Sequence, residues 1–519
     1  MYKLGIDVGG TNTDAVLIDE NLNVVADIKC PTTGDIYDGI LAALRTVLAQ
    51  SGVDRSQIRQ AMLGTTQCTN AIVERKNLAP IGILRIGAPA TLGIPPMVDW
   101  AEDISKIAVG SAVIGGGFEY DGKQLAPFDA EAAKAFFLEM KEKGVKSIAI
   151  SSVFSTVRND HELEAAKLCH EVMGEDVHVS ISSEIGSMGL IERENATILN
   201  AALWKVAERF TEGFAQSLAD EGITNADVYL SQNDGTLMTM EHARRYPILT
   251  VACGPTNSIR GASYLSSLQN AIVIDVGGTT TDLGVIQNGF PRESSVAVTI
   301  GGVRTNFRMP DVVSIGLGGG SIVREHADGS VTVGPDSVGY EITSKALVFG
   351  GDTLTATDVA VRLGMFELGD PSKVAHIPEE LAKRALEAIG TLVEDAIDSM
   401  KVSSADSDVI LVGGGSIVLP EKLAGAAAVV KPDHFGCANA IGSAISKVSG
   451  TFEKLINYDE VPRDKALEQA KAEAIDLAVA AGAIRETVEI IEVEDVPLAY
   501  YAGNTNRVKI KAAGDLAGN

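Results

Sequence analysis

Two short stretches of this chain are almost the same. Ile6-Asp7-Val8-Gly9-Gly10-Thr11-Asn12-Thr13-Asp14 recurs as Ile274-Asp275-Val276-Gly277-Gly278-Thr279-Thr280-Thr281-Asp282, and between the two aspartates of each copy only one position differs, Asn12 against Thr280. The residue types suit an anionic ligand. Paired glycines let backbone approach closely and leave N–H groups to point at anionic oxygens, threonine hydroxyls add donors, and an aspartate at a strand end, Asp7 or Asp275, can hold a hydrated divalent cation. Such a loop suits a polyphosphate with Mg²⁺. It is not a Walker A loop, because no Gly-Lys-Ser/Thr follows, and no Gly-x-Gly-x-x-Gly opens a helix as a dinucleotide site requires. One copy alone would read as an ordinary tight turn; two near-identical copies favour a shared ligand.

Each copy has an apolar lead-in, residues 2–6 and 271–274, and an apolar exit, residues 15–18 and 283–286. Each therefore reads as a β-hairpin closed by a Gly-Gly turn. The pairing resembles the actin, sugar-kinase and Hsp70 superfamily of ATPases, in which two related lobes each supply a phosphate hairpin around one nucleotide. The resemblance implies an α/β chain of two actin-like (ribonuclease H-like) lobes. It implies that Asp7 and Asp275 face each other across Mg²⁺-ATP as catalytic and metal-binding groups. Gly9, Gly10, Thr11, Asn12 and Thr13 would then cradle the phosphates from one side, and Gly277, Gly278, Thr279, Thr280 and Thr281 from the other. Late in the chain, residues 408–416 read as a strand ending in three glycines, and the resemblance places Gly413, Gly414, Gly415 and Ser416 at the adenosine. A further Gly-rich turn supplies Gly318 and Gly319 to the same site; for each of these turns the alternative is a loop tightened for packing.

Composition bounds the reading. A chain of 519 residues suggests two large lobes and an appendage. Lys+Arg 43 against Asp+Glu 69 gives a net charge of −26, with no basic patch, which argues against nucleic acid and anionic lipid as partners. The cysteines, Cys30, Cys68, Cys169, Cys253 and Cys437, are scattered without Cys-x-x-Cys spacing, as expected of buried thiols in a reducing compartment. His434 with Cys437, and His170 beside Cys169, are too few ligands for a zinc site. No apolar run reaches spanning length and the first hairpin starts at once, so the expectation is a cytoplasmic protein without signal peptide or membrane anchor.

Along the chain, residues 24–29 predict a third strand and residues 35–50 a helix with Ile36, Ile40, Leu41, Leu44 and Leu48 on one face. Residues 61–75 read as a strand breaking at Gly64 into Thr65, Thr66, Thr69 and Asn70 before a helix; these polar groups either serve a cleft or cap the helix. A strand at 81–86 precedes an irregular excursion at 88–127, and β/α alternation then predicts a mainly parallel sheet. One long helix is expected over 191–220 and short strands at 228–231 and 248–251. Helices follow at 356–363, 378–400, around 439–444 and at 464–481, with strands at 487–493 and 507–512. The expected division is 1–270 for the first lobe, 271–450 for the second, and 451–519 for a small α+β appendage on the second lobe.

Four blocks make the chain resemble the hydantoinase/oxoprolinase family, specifically its A-type component. They are the two hairpins; Gly64-Thr65-Thr66 through Thr69-Asn70-Ala71 to Glu74-Arg75; Glu192-Arg193-Glu194 through Leu199-Asn200-Ala201; and Gly318-Gly319-Gly320-Ser321 with Val333-Gly334-Pro335. The chain departs from the family pattern after Gly334-Pro335, and at Cys253-Gly254-Pro255-Thr256-Asn257-Ser258. The resemblance implies ATP-dependent hydrolysis of a cyclic amide such as a hydantoin, 5-oxoproline or a related lactam. Phosphorylating the carbonyl oxygen makes a poor electrophile attackable, and a B-type partner subunit completes the hydrolysis. Two other readings use the same cleft: a small-molecule kinase, and an ATPase that reactivates a partner enzyme. The scattered cysteines argue against the iron–sulfur version of the latter. The reading also leaves room for a homo-oligomer.

Overall fold

A computed structural model of the chain describes residues 1–10, 12–31, 36–294, 298–307, 309–498 and 503–517. The first hairpin, Tyr2–Val8 and Asn12–Asp19, pairs antiparallel with Asp7 opposite Asp14. Strand alternation sends Leu4, Ile6 and Val8 into one hydrophobic core, and leaves Asp7 on the opposite face. Val24–Pro31 adds to one side of the hairpin. Ile58–Thr65 adds in parallel to the other, after the helix Ile36–Ser51, and Asp227–Ser231 extends the parallel run. The second hairpin, Ala271–Val276 and Thr281–Gln287, belongs to a separate six-stranded sheet and sets Asp275 opposite Asp282. There Ser407–Val412 pairs in parallel with Ala271–Val276, as Ile58–Thr65 does with Tyr2–Val8.

Four expectations from the sequence change. The last part of the chain is not an appendage on the second lobe. Lys447–Asn457 pairs in parallel with Thr236–Thr239, and Thr505–Gly514 and Glu489–Pro497 follow it, completing a nine-stranded sheet headed by the first hairpin. The helix Arg463–Ala480 covers these strands through Ala470, Ala474 and Ala478, small side chains that allow close packing. The excursion at 88–127 contains the strand Ala108–Gly115. This strand is the edge of a third, all-parallel sheet with Ile81–Ala88, Ser147–Ser152 and His178–Ile181, and that sheet has its own core. The long helix is two helices, Leu190–Ala202 and Trp204–Asp220, parted at Leu203. Residues 248–250 lie in the 3₁₀ turn Pro247–Thr250 and Val251 caps it, so no strand forms there. The division into lobes at about 270 and 450 therefore stands as our proposal for the hairpin-bearing sheets only. Among the described residues no helix is long and apolar enough to cross a membrane, and the cysteines are free thiols.

Two helices join the sheets. Cys253–Ser266 and Ala438–Ile445 touch backbone to backbone, and a Cβ at Gly442 would stand 1.8 Å from the Asn257 carbonyl. Only glycine permits that approach, and it brings Asn257, Ser258 and Asn439 between the two hairpins.

Candidate functional site

The hairpins face one cleft of about 500 Å³. It is lined by Asp7, Gly9, Gly10 and Asn12 from the first hairpin and by Asp275, Gly277, Gly278, Thr279 and Thr280 from the second. Gly319 and the Gly413, Gly414 and Gly415 turn complete the expected set at the wall. Thr11 lies outside the described residues. Thr13 and Thr281 are fully buried, and the Thr281 hydroxyl donates to the Leu317 carbonyl at 2.7 Å, so it faces away from the cleft. Gly318 sits behind the second turn, where a Cβ would meet the Gly278 carbonyl carbon and the Thr279 nitrogen at 2.6 Å; Ser416 is buried beneath its turn. Both act as buttress rather than as wall. The turns also spend part of their own backbone: Gly9 N–H donates to the Asn12 carbonyl and Gly277 N–H to the Thr280 carbonyl.

Four carboxylates converge here, because each hairpin register places its second aspartate beside the first: Asp7 with Asp14, and Asp275 with Asp282. Asp7 accepts from Asn257 Nδ2 at 3.3 Å and Asn439 Nδ2 at 3.0 Å. The same Asn439 amide reaches Asp14 at 2.8 Å, and Lys29 Nζ stands 2.6 Å from the other Asp14 oxygen. On the second hairpin Asp275 accepts from the Ser258 hydroxyl and Asp282 from the Ser314 hydroxyl. Consecutive residues of one helix, Asn257 and Ser258, thus hold the first aspartate of both hairpins. Lys29 is the one lysine or arginine among the described residues lining the cleft.

Burial, reinforced by the neighbouring Asp14, pushes the Asp7 carboxyl up to about 6, against the pull of the two amide donors. Burial likewise raises Asp282 to about 6, with Ser314 opposing and Asp275 adding to the rise. Burial also raises Asp275, and the Ser258 hydroxyl opposes it. A glycine stands against each first aspartate, Gly64 within the parallel neighbour strand Ile58–Thr65 and Gly413 just past the end of Ser407–Val412. A Cβ at Gly64 would lie 2.2 Å from Asp7 Oδ1, and one at Gly413 2.2 Å from Asp275 Oδ1.

The donor set fits a hydrated Mg²⁺ carried by a polyphosphate. Among the described residues no three His, Cys, Asp or Glu side chains form a compact metal cage, and a magnesium ion bound through one or two carboxylates, water and phosphate oxygens needs none. Ile342, Leu368, Ile417 and Phe435 give one part of the cleft an apolar lining suited to a base.

Sequence reasoning passed over Lys29, Asn257, Ser258 and Asn439 as site residues. For Lys29 the signal was there, since continuing the strand register sets it opposite Asp14. Other motif residues prove structural. Glu194 accepts from Arg85 and Ser151, Arg193 donates to Ser182 Oγ and the Ser152 carbonyl, and Asn195 ties Trp100 to the Arg304 carbonyl. That block ties the helix Leu190–Ala202 to the third sheet and to the short strand Val303–Thr305. In the 64–75 block Thr66 lines the cleft, whereas Thr69 accepts from the Ala252 N–H. The cap of the helix Gln67–Glu74 is Thr66, not Thr69 or Asn70.

Residues 3–173 match the hydantoinase/oxoprolinase N-terminal region and residues 193–367 match hydantoinase/oxoprolinase. The chain is 27% identical to the caprolactamase alpha chain of Pseudomonas jessenii, over 70% of this chain and 54% of that one. It is 26% identical to 5-oxoprolinase 1 of Arabidopsis thaliana, over 69% of this chain and 31% of the relative. It thus spans about half or less of the length of these relatives. Among solved structures, the ATP-dependent caprolactamase from Pseudomonas jessenii superposes with a TM-score of 0.78 at 21% identity, covering 99% of this chain and 88% of the other. A nucleotide-free acetone carboxylase gives 0.68 at 17%, covering 100% and 89%. These likenesses show a shared mixed α/β fold. With two family regions matched over more than half its length, the chain belongs to the hydantoinase/oxoprolinase family.

Proposed function

We propose that the chain is the ATP-dependent, carbonyl-activating component of an amidohydrolase acting on a cyclic amide, working with a B-type partner subunit in the cytoplasm. The observation that supports it most is the pair of near-identical hairpins aiming equivalent aspartates into one cleft. Relatives bear the names caprolactamase and 5-oxoprolinase, whose named substrates are cyclic amides, while acetone carboxylase is named for a ketone. A carbonyl oxygen is common to all three.

Bound Mg²⁺-ATP would supply a transferable phosphoryl group and a divalent charge to offset it. The chain's own contribution is positional and electrostatic. Asn257, Asn439 and Ser258 fix the rotamers of Asp7 and Asp275, so both carboxylates are aimed before any ligand arrives. Gly64 and Gly413 leave room for those rotamers. Lys29 offsets Asp14, which lowers the repulsion an incoming polyphosphate meets from four carboxylates. The glycine turns let backbone approach anionic oxygens without side-chain obstruction.

Titration calorimetry with ATP and Mg²⁺ tests this reading. Asp7→Ala and Asp275→Ala are each expected to weaken Mg²⁺-dependent ATP binding by roughly a hundredfold, equivalent to about 2.7 kcal/mol. Unchanged affinity and metal dependence in both variants would sink the shared-cleft assignment. Ring opening of lactams is expected only when a B-type subunit is added; stoichiometric ring opening by the chain alone would overturn that division of labour.

A further inference from the structure

Between the edge strand Phe290–Pro291 and the strand Val312–Ile315, both paired with Thr281–Gln287, the chain leaves the second sheet and comes back to it. On the way, the ladder of Val298–Ile300 with Val303–Thr305 lies against the first sheet: Ile300, Val303, Phe307 and Met309 belong to the same core as Leu4 and Ile6. The second hairpin's sheet thus sends an arm across to the first. The neck of the arm is closed by the bridge of Glu293 with Pro310 and by Ser294 N–H donating to the Met309 carbonyl at 2.9 Å.

Two consecutive residues at that neck are tied in opposite directions. Arg292 stays with the second sheet: its guanidinium meets Asp311 at 2.6 Å and donates at 3.2 Å to the carbonyl of Met400, the last residue of the helix Glu379–Met400. Glu293 crosses to the first sheet, where one carboxylate oxygen meets Lys509 Nζ and the other Lys511 Nζ, each at 2.8 Å. Both lysines project from one face of Thr505–Gly514, which pairs with Lys447–Asn457 in the nine-stranded sheet. Lys511 also meets Asp234 at 2.8 Å, in the turn before Thr236–Thr239, and Lys509 meets Glu492 at 2.9 Å. The two lysines are 6% and 3% exposed, so water and salt screen these pairs little. Burial pushes the Asp234 carboxyl up, but Lys511 and the Thr236 hydroxyl outweigh it and hold the group below its ordinary value.

The same turn bears on the helix that aims the two first aspartates. The Thr256 hydroxyl donates to the Asn233 carbonyl at 3.0 Å, and the next two residues, Asn257 and Ser258, hold Asp7 and Asp275. Gly235 packs the turn against the second sheet: a Cβ there would stand 3.0 Å from Pro291 Cδ and 3.1 Å from Arg260 Cγ. Lys511 therefore joins the C-terminal strands, the turn packed on the aspartate-holding helix and the neck of the arm. These parts must keep register if both hairpins are to reach one ligand.

We propose that Glu293 is a positioning residue: through Lys509 and Lys511 it straps the second hairpin's sheet to the first and so sets the width of the nucleotide cleft. Separating a buried ion pair leaves each charge without its partner and out of water, so the strap resists small displacements of one sheet against the other. The inference rests on the nucleotide cleft proposed above, and adds to it a group that lies outside the cleft lining.

Two measurements on the full chain test it. One is the rate at which Mg²⁺-bound N-methylanthraniloyl-ATP is released, followed by stopped-flow fluorescence. The other is pulsed electron paramagnetic resonance, without nucleotide, between spin labels at Val73→Cys and Leu392→Cys, exposed helix positions beside the first and second sheets. The labels are placed in a Cys30→Ser background, since the other four cysteines are buried. Glu293→Gln keeps the shape and removes the charge; it is expected to speed nucleotide release by about tenfold or more, within the usual range of coupling between remote groups, and to lengthen the interlabel distance. Glu293→Asp restores a carboxylate and should recover part of both changes. Gly235→Ala leaves every charge in place but presses on Pro291, and should move both readouts in the same direction as Glu293→Gln. It decides the matter if Glu293→Gln does not fold. Two results overturn the proposal: nucleotide release as slow in the folded variants as in the unsubstituted chain, even with a loss of unfolding stability, or interlabel distances that do not change. Longer distances in a chain that binds no nucleotide would support the strap and refute the nucleotide reading instead.

Discussion

The two hairpins have nearly one sequence and two electrostatic settings. In the first, the second aspartate of the pair, Asp14, is 1% exposed and is neutralised by Lys29 and by the Asn439 amide. In the second, Asp282 has a hydroxyl, that of Ser314, and its neighbour Asp275 has another, that of Ser258. A duplicated motif therefore fixes the backbone and the aim of its aspartates, while the strands and helices packed on it decide how each carboxylate is compensated. Among the described residues the one lysine of the cleft, Lys29, is paired with the first hairpin, although its charge also reaches Asp275; under the function proposed above, that makes the first hairpin our candidate for contact with a transferring phosphoryl group and the second our candidate for holding a hydrated metal.

The largest expected effect breaks that asymmetry. Lys29→Met would leave a buried Asp14 with one amide donor. Removing one partner of a buried ion pair costs about 3–5 kcal/mol, and because the Lys29 side chain is 35% exposed we expect a discounted loss of roughly 2–3 kcal/mol in urea unfolding. A loss under about 0.5 kcal/mol would mean that the two hairpins are electrostatically alike despite their different partners.

A smaller effect of opposite sign concerns Asp7. Its carboxyl is raised from 3.8 to about 6 by burial and by Asp14. Between about pH 4 and 6 the folded chain therefore holds a proton that the unfolded chain has released. The contribution of Asp7 to stability is then neutral below about pH 4, falls as pH rises through 6, and stays unfavourable above it. Asp7→Asn is expected to stabilise the nucleotide-free chain by about 2 kcal/mol at pH 7.5 and by nothing at pH 4, read from thermal unfolding at both values. Asp282, raised to about 6 as well, should give the same pH pattern in Asp282→Asn, although its partners differ. A pH-independent gain in either variant would place the cause in packing rather than in ionisation.

How far the sequence could be read follows the range of the interactions involved. Both hairpins, the Gly413 to Gly415 turn and the helices beside them rest on neighbours in the chain, and they were legible as turn chemistry and periodicity. The return of Lys447–Asn457 to Thr236–Thr239 pairs strands some two hundred residues apart, and no local pattern records it. The strand Ala108–Gly115, rich in alanine and glycine, lacks the apolar alternation that would have marked it inside an irregular stretch. Leu203 parts two helices without a glycine or proline to signal a break. In the site, the aspartates were legible because the motif repeats. Asn257, Ser258 and Asn439 were not, because their roles arise only where two helices cross in backbone contact. The segment bearing Asn439 was legible as a helix, but what its packing delivers, a single amide shared by Asp7 and Asp14, depends on the sheet below it.

The smallest expected effect is the sharpest probe of the second hairpin. The Ser314 hydroxyl donates to Asp282 Oδ1 and pulls its carboxyl down against burial. Ser314 itself is exposed, so water can replace part of what the hydroxyl supplies. Ser314→Ala should therefore cost only about 0.5–1 kcal/mol, below the range for a buried bond to a charged group. It should also move the Asp282 carboxyl further above 6, which a carboxyl-carbon NMR titration would follow directly. If Ser314→Ala instead cost as much as Lys29→Met, a hydroxyl would be serving Asp282 as fully as a lysine serves Asp14. The cleft would then be compensated symmetrically, and the case for assigning the phosphoryl group to the first hairpin would fail.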